Sequence, residues 1–466
     1  MLFSSIPFLF YFLPIVILLY FAVPKKLKNL VLLLSSLFFY GWGEPRFLVF
    51  MLVSILQGYI FGLLIEKHQG TKRSKVFLAA SVIFSLGLLG YCKYADFFIT
   101  NFNALTGMSV PLLGIALPIG ISFYTFQILS YTVDVYRKDV AAQRNLINLA
   151  AYIAMFPQLI AGPIVRYSDI ALQLEERSHS FEKCAEGIRR FVLGLAKKIL
   201  IANILGELVA TFKASDDKSV LFYWMYAFAY LFHIYFDFSG YSDMAIGLGK
   251  IFGFDFIENF NYPYISGSIT EFWRRWHISL GSWFRDYLYI PMGGNRVSTP
   301  RHLFNILVVW MATGFWHGAA WNFILWGLMF AVLLIIEKLF LLKVLKKLKV
   351  LNHIYVMFFV ILSFVLFDSL SIADAFHNIG AMLGAGGIPL ISTEAVYYIK
   401  SYAVILVIGA VGSTPLPAYL VNKAKTLKAG TIVVNILEPV CLVGLLTVCT
   451  AFLIDGSFNP FLYFRF

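Results

Sequence analysis

The run "LFNILVVWMATGFWHGAAWNFILWGLMFAVLLII", residues 303–336, has no Lys, Arg, Asp or Glu in 34 residues and one imidazole, His317. About 20 apolar residues in a helix span a bilayer's hydrocarbon core. The run is therefore of membrane length and carries a titratable group near its middle. Gly314 and Gly318 bracket the histidine, so backbone can approach closely or break there. Trp316, Trp321 and Phe315 can wall a cavity around it. A neutral imidazole in such a place can take a proton from a hydroxyl. A lone histidine on an apolar helix can equally be a satisfied structural group.

The same pattern recurs along the chain. Uncharged stretches occupy 1–24, 29–43, 47–65, 76–92, 97–133, 145–165 and 401–422. The 466 residues are 60% hydrophobic and 13% charged, against roughly 25% charged in an ordinary soluble domain. Segments in lipid must satisfy their own backbone groups, which leaves helices or closed barrels. Barrel strands alternate polar and apolar residues and these runs do not. The expected class is an all-α polytopic membrane protein with about 11–13 spans or half-spans. We expect one membrane domain over 1–466, with N-terminal helices to 140, a catalytic core at 141–340 and C-terminal helices at 341–466.

Lys25, Lys26 and Lys28 follow the first apolar run directly, and 1–24 lacks the basic start and cleavage motif of a signal peptide. The positive-inside rule puts that end in the cytoplasm and the N-terminus outside. The basic loops at 66–75, 136–139, 166–198 and 343–349 fit the same side. The net charge of +12 thus reads as topology and contact with anionic lipid rather than nucleic-acid binding. Cys92, Cys184, Cys441 and Cys449 are scattered, with neither metal-type pairs nor a disulfide framework.

Region 233–296 is different: polar, aromatic and charged residues interleave. Asp237 and Asp243 end an otherwise apolar segment. Intramembrane carboxylates are expensive and have a partner or a task; these two pair with nearby cations, cap a short helix at 242–253, or meet substrate. "ITEFWRRWHISLGSWFRDYLYIP", 269–291, reads as a pair of amphipathic helices. Trp273, Trp276 and Phe284 give it an apolar face and Arg274, Arg275 and Arg285 a cationic one, with Thr270 at the helix start. His277 lies within it. Turn chemistry at Asn261-Tyr-Pro and Pro291–Asn295 delimits a non-spanning insert, which favours a cavity there.

"NFNYPYISGSITEFWRRWHISLGSWFRDYLYIPMGGNR" (259–296) followed by "GFWHGAAWNFILWG" (314–327) resembles the membrane-bound O-acyltransferase (MBOAT) family. More closely, it resembles the bacterial alginate O-acetylation branch and its relatives that acetylate peptidoglycan or other exported polysaccharides. "LPIGISFYTFQILSYTVDVYR" (117–137), "FPQLIAGPIVRY" (156–167), "FDFSGYSDMAIG" (236–247) and the ending "NPFLYFRF" (459–466) fit as well. The resemblance implies a ring of transmembrane helices around a central tunnel. It implies an active-site histidine at His317 and a second family histidine at His277. It further implies acetyl-CoA as cytoplasmic donor, no tightly bound cofactor or metal, an exported polysaccharide acceptor and an extracytoplasmic esterase-like partner, in a bacterial inner membrane. On that reading Arg274, Arg275 and Arg296 would hold the donor's phosphates, with Lys197 and Lys198 as weaker candidates. Trp316, Trp321 and Trp276 would line the site, Asn322 would orient His317 or stabilise the oxyanion, and Asp237 would contact substrate. His277 would shape the donor side. Relatives that pass D-alanine to teichoic acid share part of the pattern and are the alternative. A transporter is disfavoured, since no inverted repeat is visible. Branch members often carry Arg where this chain has Asp368.

Overall fold

The computed structural model describes residues 1–456; the closing "NPFLYFRF" motif lies outside them. Every regular element among the described residues is a helix. Among the described residues five helices are long and apolar enough to cross a membrane: Pro45–Lys67, Lys72–Thr106, Leu351–Asp368, Thr393–Gly412 and Lys428–Ile454. In the last of these only 6% of the apolar window is buried inside the protein, so its aliphatic surface suits lipid. Helices Ile121–Arg137, Val220–Ile251, Thr299–His317 and Trp321–Ile336 fall outside that set. They are shorter or are studded with Tyr, Thr, His, Asn and Asp, and their inward faces are the buried ones.

The chain forms two compact units, 1–191 with 244–257, and 192–243 with 258–466. The first is held by the devices expected between helices in lipid, small residues and buried amides. Gly58 and Gly62 of Leu48–Lys67 lie one turn apart against Ile128 and Tyr131. A Cβ at Gly62 would come within 2.6 Å of the Tyr131 hydroxyl. Gln57 donates to Ser85 at 2.9 Å, and buried Asn29 donates to Asn148 and to the Leu174 carbonyl, each at 2.8 Å.

The second unit has an aromatic core drawn from Val220–Ile251, the insert, Trp321–Ile336 and Leu351–Asp368. The helix at 220 runs without interruption to 251, so the separate short helix expected at 242–253 does not exist and neither aspartate caps one. The 303–336 run breaks where its glycines allow. One helix ends at His317, Gly318 is extended, and the next begins at Trp321. The two helices pack closely because Gly314 and Gly327 meet. A Cβ on Gly314 would overlap the Phe323 carbonyl, and one on Gly327 the Trp310 carbonyl.

The insert forms the expected pair of short helices, Ile269–Arg275 and Ile278–Phe284. The first starts two residues earlier than expected: Ser268, not Thr270, is its cap, accepting from the Glu271 N–H at 3.0 Å. Its N-terminus also receives a carboxylate from another helix. Buried Glu337 accepts from Ile269 N at 2.6 Å, Thr270 N at 2.9 Å and Thr270 Oγ1 at 2.6 Å. An anion there satisfies orphan N–H groups and suits the helix dipole.

Candidate active site

His277 sits in the joint between the two short helices with φ 46° and ψ 53°. A non-glycine residue in the left-handed region costs free energy and persists where its surroundings fix it. Here the surroundings are a short main-chain pairing. Asn261 N donates to the Arg275 carbonyl at 2.9 Å, and Ile278 N to the Asn259 carbonyl at 3.0 Å. The chain is thereby clamped on both sides of Trp276–His277. His277 is 1% exposed. Its Nδ1 lies 3.1 Å from Asn259 Oδ1, and Phe238 meets the ring edge-on with centroids 4.7 Å apart. Burial, and secondarily the His317 imidazole beside it, hold its pKa well below the usual imidazole range, so the ring is neutral.

His317 is 7% exposed and ends its helix, where the chain turns at Gly318. Three aromatic rings surround it edge-on: Trp316 at 5.0 Å, Trp326 at 5.1 Å and Phe367 at 5.4 Å between centroids. Trp316 also faces His277 at 6.2 Å. One tryptophan thus bridges two buried histidines that are 317 − 277 = 40 residues apart in sequence. Trp273 and Phe330 extend the wall behind Trp326, at 5.5 and 5.1 Å.

Other candidates fall elsewhere. Trp321 is 55% exposed; the wall opposite Trp316 is Trp326, five residues on and about 140° around the helix. Asn322 is buried, but its Nδ2 donates to the Ser369 carbonyl at 2.9 Å, so its nitrogen is committed away from His317. Trp276 is buried in an aromatic cluster with Phe272, Tyr264, Phe260 and Phe364 and supports the insert. Arg275 pairs with Glu271 at 2.9 Å and donates to the Asn261 carbonyl at 3.1 Å, so it splints the joint at His277. Arg274 and Arg296 are exposed, and neither makes a side-chain hydrogen bond or ion pair among the described residues.

Asp237 forms an ion pair with Lys198 at 2.6 Å, both nearly fully buried. Asp243 pairs with Lys197 at 2.7 Å. Both aspartates therefore have the cationic partners that a low-dielectric interior demands, and the two lysines are engaged. Asp368 is held by Lys213 and by the Tyr226 hydroxyl, each at 2.6 Å. Its neighbour in sequence, Phe367, touches His317. No group of three or more His, Cys, Asp or Glu side chains among the described residues is arranged to hold a metal ion.

Sequence reasoning missed Asn259, Ser279, Trp326, Phe367 and Glu337. The spacing of Asn322, Trp326 and Phe330 on one helical face was the available signal for Trp326. Nothing in the local sequence pointed to Glu337, at the far end of the helical run that carries Trp326, or to Phe367, which comes from Leu351–Asp368.

Comparison with known proteins gives one family. The profile of the MBOAT, membrane-bound O-acyltransferase family matches residues 47–372. The chain is 47% identical over 343 residues to the probable alginate O-acetylase AlgI of Azotobacter vinelandii, covering 72% of this chain and 69% of that one. Identity to the Pseudomonas aeruginosa protein of the same name is also 47% over 343 residues, covering 72% and 66%. The Helicobacter pylori peptidoglycan O-acetyltransferase is 34% identical over 434 residues, covering 85% of this chain and 82% of that one. The chain belongs to the membrane-bound O-acyltransferase family and is an O-acyltransferase on a multi-pass, all-helical membrane fold.

Proposed function

We propose that this enzyme O-acetylates an exported, alginate-like cell-surface polysaccharide, with acetyl-CoA as the cytoplasmic donor and His317 as the general base. The observation that carries the reading is the convergence of two buried histidines on Trp316, with further aromatic rings packed around His317. The alginate and peptidoglycan relatives support the acceptor class by their own names.

His317 takes the proton of the acceptor hydroxyl as its oxygen attacks the thioester carbonyl carbon. The tetrahedral oxyanion collapses, the C–S bond breaks, and the thiolate takes the proton back from the imidazolium. Proton and electrons balance with no further reagent. The aromatic walls keep bulk water from the thioester, which would otherwise hydrolyse. Exposed Arg274 and Arg296 are the guanidinium groups available for the donor's phosphates, whose geometry suits Arg. Basic loops on the donor side accord with an inner membrane and an external N-terminus. Through an esterase-like extracytoplasmic partner the acetyl reaches the polymer.

The test is His317→Ala with protein abundance monitored. Polymer acetylation should fall by about 10²–10⁴-fold; wild-type acetylation at normal abundance overturns the assignment. Purified protein given labelled acetyl-CoA, acceptor polymer and partner should release free CoA. No cleavage overturns the choice of donor.

A further inference from the structure

The hydrogen bonds of His277 define which of its nitrogens carries the proton. The amide oxygen and nitrogen of Asn259 are told apart by their partners. The main-chain N–H of Ser279 can only donate, and it lies 3.3 Å from one of the two atoms, so that atom is Oδ1. Nδ2 then faces Ser242 Oγ at 3.0 Å and donates to it. Ser279 Oγ gives Oδ1 a second donor at 2.9 Å.

His277 Nδ1 lies 3.1 Å from this same oxygen and 3.4 Å from Ser279 Oγ, whose one proton goes to Oδ1 in the shorter bond. A bare Nδ1 would set one lone pair against another, so the contact is a bond only with the proton on Nδ1. A neutral ring carries one proton, which leaves Nε2 bare. Nε2 is buried and has no hydrogen-bond partner among the described residues. A buried acceptor without a donor is costly, and the clamped main chain described above prevents the ring from escaping.

We propose that Asn259 is a positioning residue that locks His277 in its Nδ1–H form, so that a bare Nε2 awaits a hydrogen-bond donor arriving with substrate. This rests on the reading of the two histidines as one acyl-transfer site. It also sets the chemistry of the ligand group. The thioester sulfur and carbonyl have no proton to give, so the donor is an O–H or N–H: the acceptor's hydroxyl, or an amide of the CoA arm. His277 and His317 thereby differ in kind. His277 accepts a positioning bond, while His317 moves the proton. Of the groups packed against His277, namely Phe238, Trp316, His317, Asn259 and Ser279, only His317 titrates.

The wild-type protein allows a direct test. In ¹⁵N-histidine-labelled enzyme in lipid nanodiscs, the His277 signals, assigned by their loss in His277→Gln, should show a protonated Nδ1 and a bare Nε2. A protonated Nε2 overturns the proposal. Kinetically, Asn259→Leu removes the acceptor and should lower kcat/KM by roughly tenfold or more at normal abundance. Asn259→Asp keeps the acceptor and adds a negative charge, which stabilises the protonated ring. The acid limb of its kcat/KM profile should therefore move to higher pH. Wild-type kcat/KM in Asn259→Leu, or an unmoved acid limb in a folded Asn259→Asp, also overturns it. A rise in KM for acetyl-CoA identifies the CoA amide as the incoming donor; a rise in KM for the acceptor identifies the hydroxyl. The tautomer reading stands or falls by the spectrum, whereas full activity in His317→Ala removes the wider functional reading.

Discussion

The two histidines are held by opposite kinds of structure. His317 ends a regular 19-residue helix and is surrounded by rings. His277 lies in a joint between two helices of seven residues each and is fixed by a main-chain clamp, an amide and a serine. Regular structure gives His317 its place through pattern and close helix packing. Irregular structure must specify His277 bond by bond. The insert cannot stand on seven-residue helices alone, which are far below the length at which isolated helices persist. It therefore borrows Glu337 from a neighbouring helix and the Arg275–Glu271 splint from itself.

The largest effect separates the two histidines by rate. His317→Ala should lose about 10²–10⁴-fold in kcat, with His277→Ala losing less. Equal losses in a purified, reconstituted assay would break the division of roles.

The next contrast lies within the regular region. Trp326→Ala removes a buried ring at the centre of the His317 wall and should cost about 3–5 kcal/mol of stability. Trp321→Ala, on the exposed side of the same helix, should stay within about 0.5 kcal/mol. Thermal unfolding in detergent reads both, and similar shifts would show that the face of this helix is misassigned.

Glu337→Ala probes what the insert borrows. It strips the partner from one buried and two part-buried donors and should destabilise by about 1–3 kcal/mol, with activity falling through His277. An unchanged stability and rate would show that the insert stands alone.

The smallest effects belong to the arginines. Arg275→Gln, in a partly exposed pair, should cost about 0.2–1 kcal/mol. Arg274→Gln should leave stability unchanged while raising the KM for acetyl-CoA. An unaffected KM removes Arg274 from the donor site.

Much of this architecture was legible without a structure. The uncharged runs fixed a helical membrane protein, the glycines around His317 marked a break, and the "WRRWHISLGSWF" pattern gave a helix pair. The pairing of Asp237 and Asp243 with cations was one reading of their position, and Lys198 and Lys197 supply it. The detail of what surrounds the two histidines was not legible. Trp321 and Asn322 lie close to His317 in sequence, yet one faces outward and the other donates to the Ser369 carbonyl. Arg275 looked like a ligand for phosphate and serves the joint instead. Trp326 and Glu337 share one helical run, whereas Phe367 and Asn259 come from two other segments, and no local spacing links the three.

By itself the sequence determined the solvent and the helices, because hydropathy and helical period are properties of neighbouring residues. Only the tertiary structure decided which ring faces His317, which carboxylate caps the insert and which nitrogen of His277 carries the proton. Those depend on helix rotation and on single hydrogen bonds between segments remote in the chain. A turn of 100° per residue or one exchanged donor is enough to alter them.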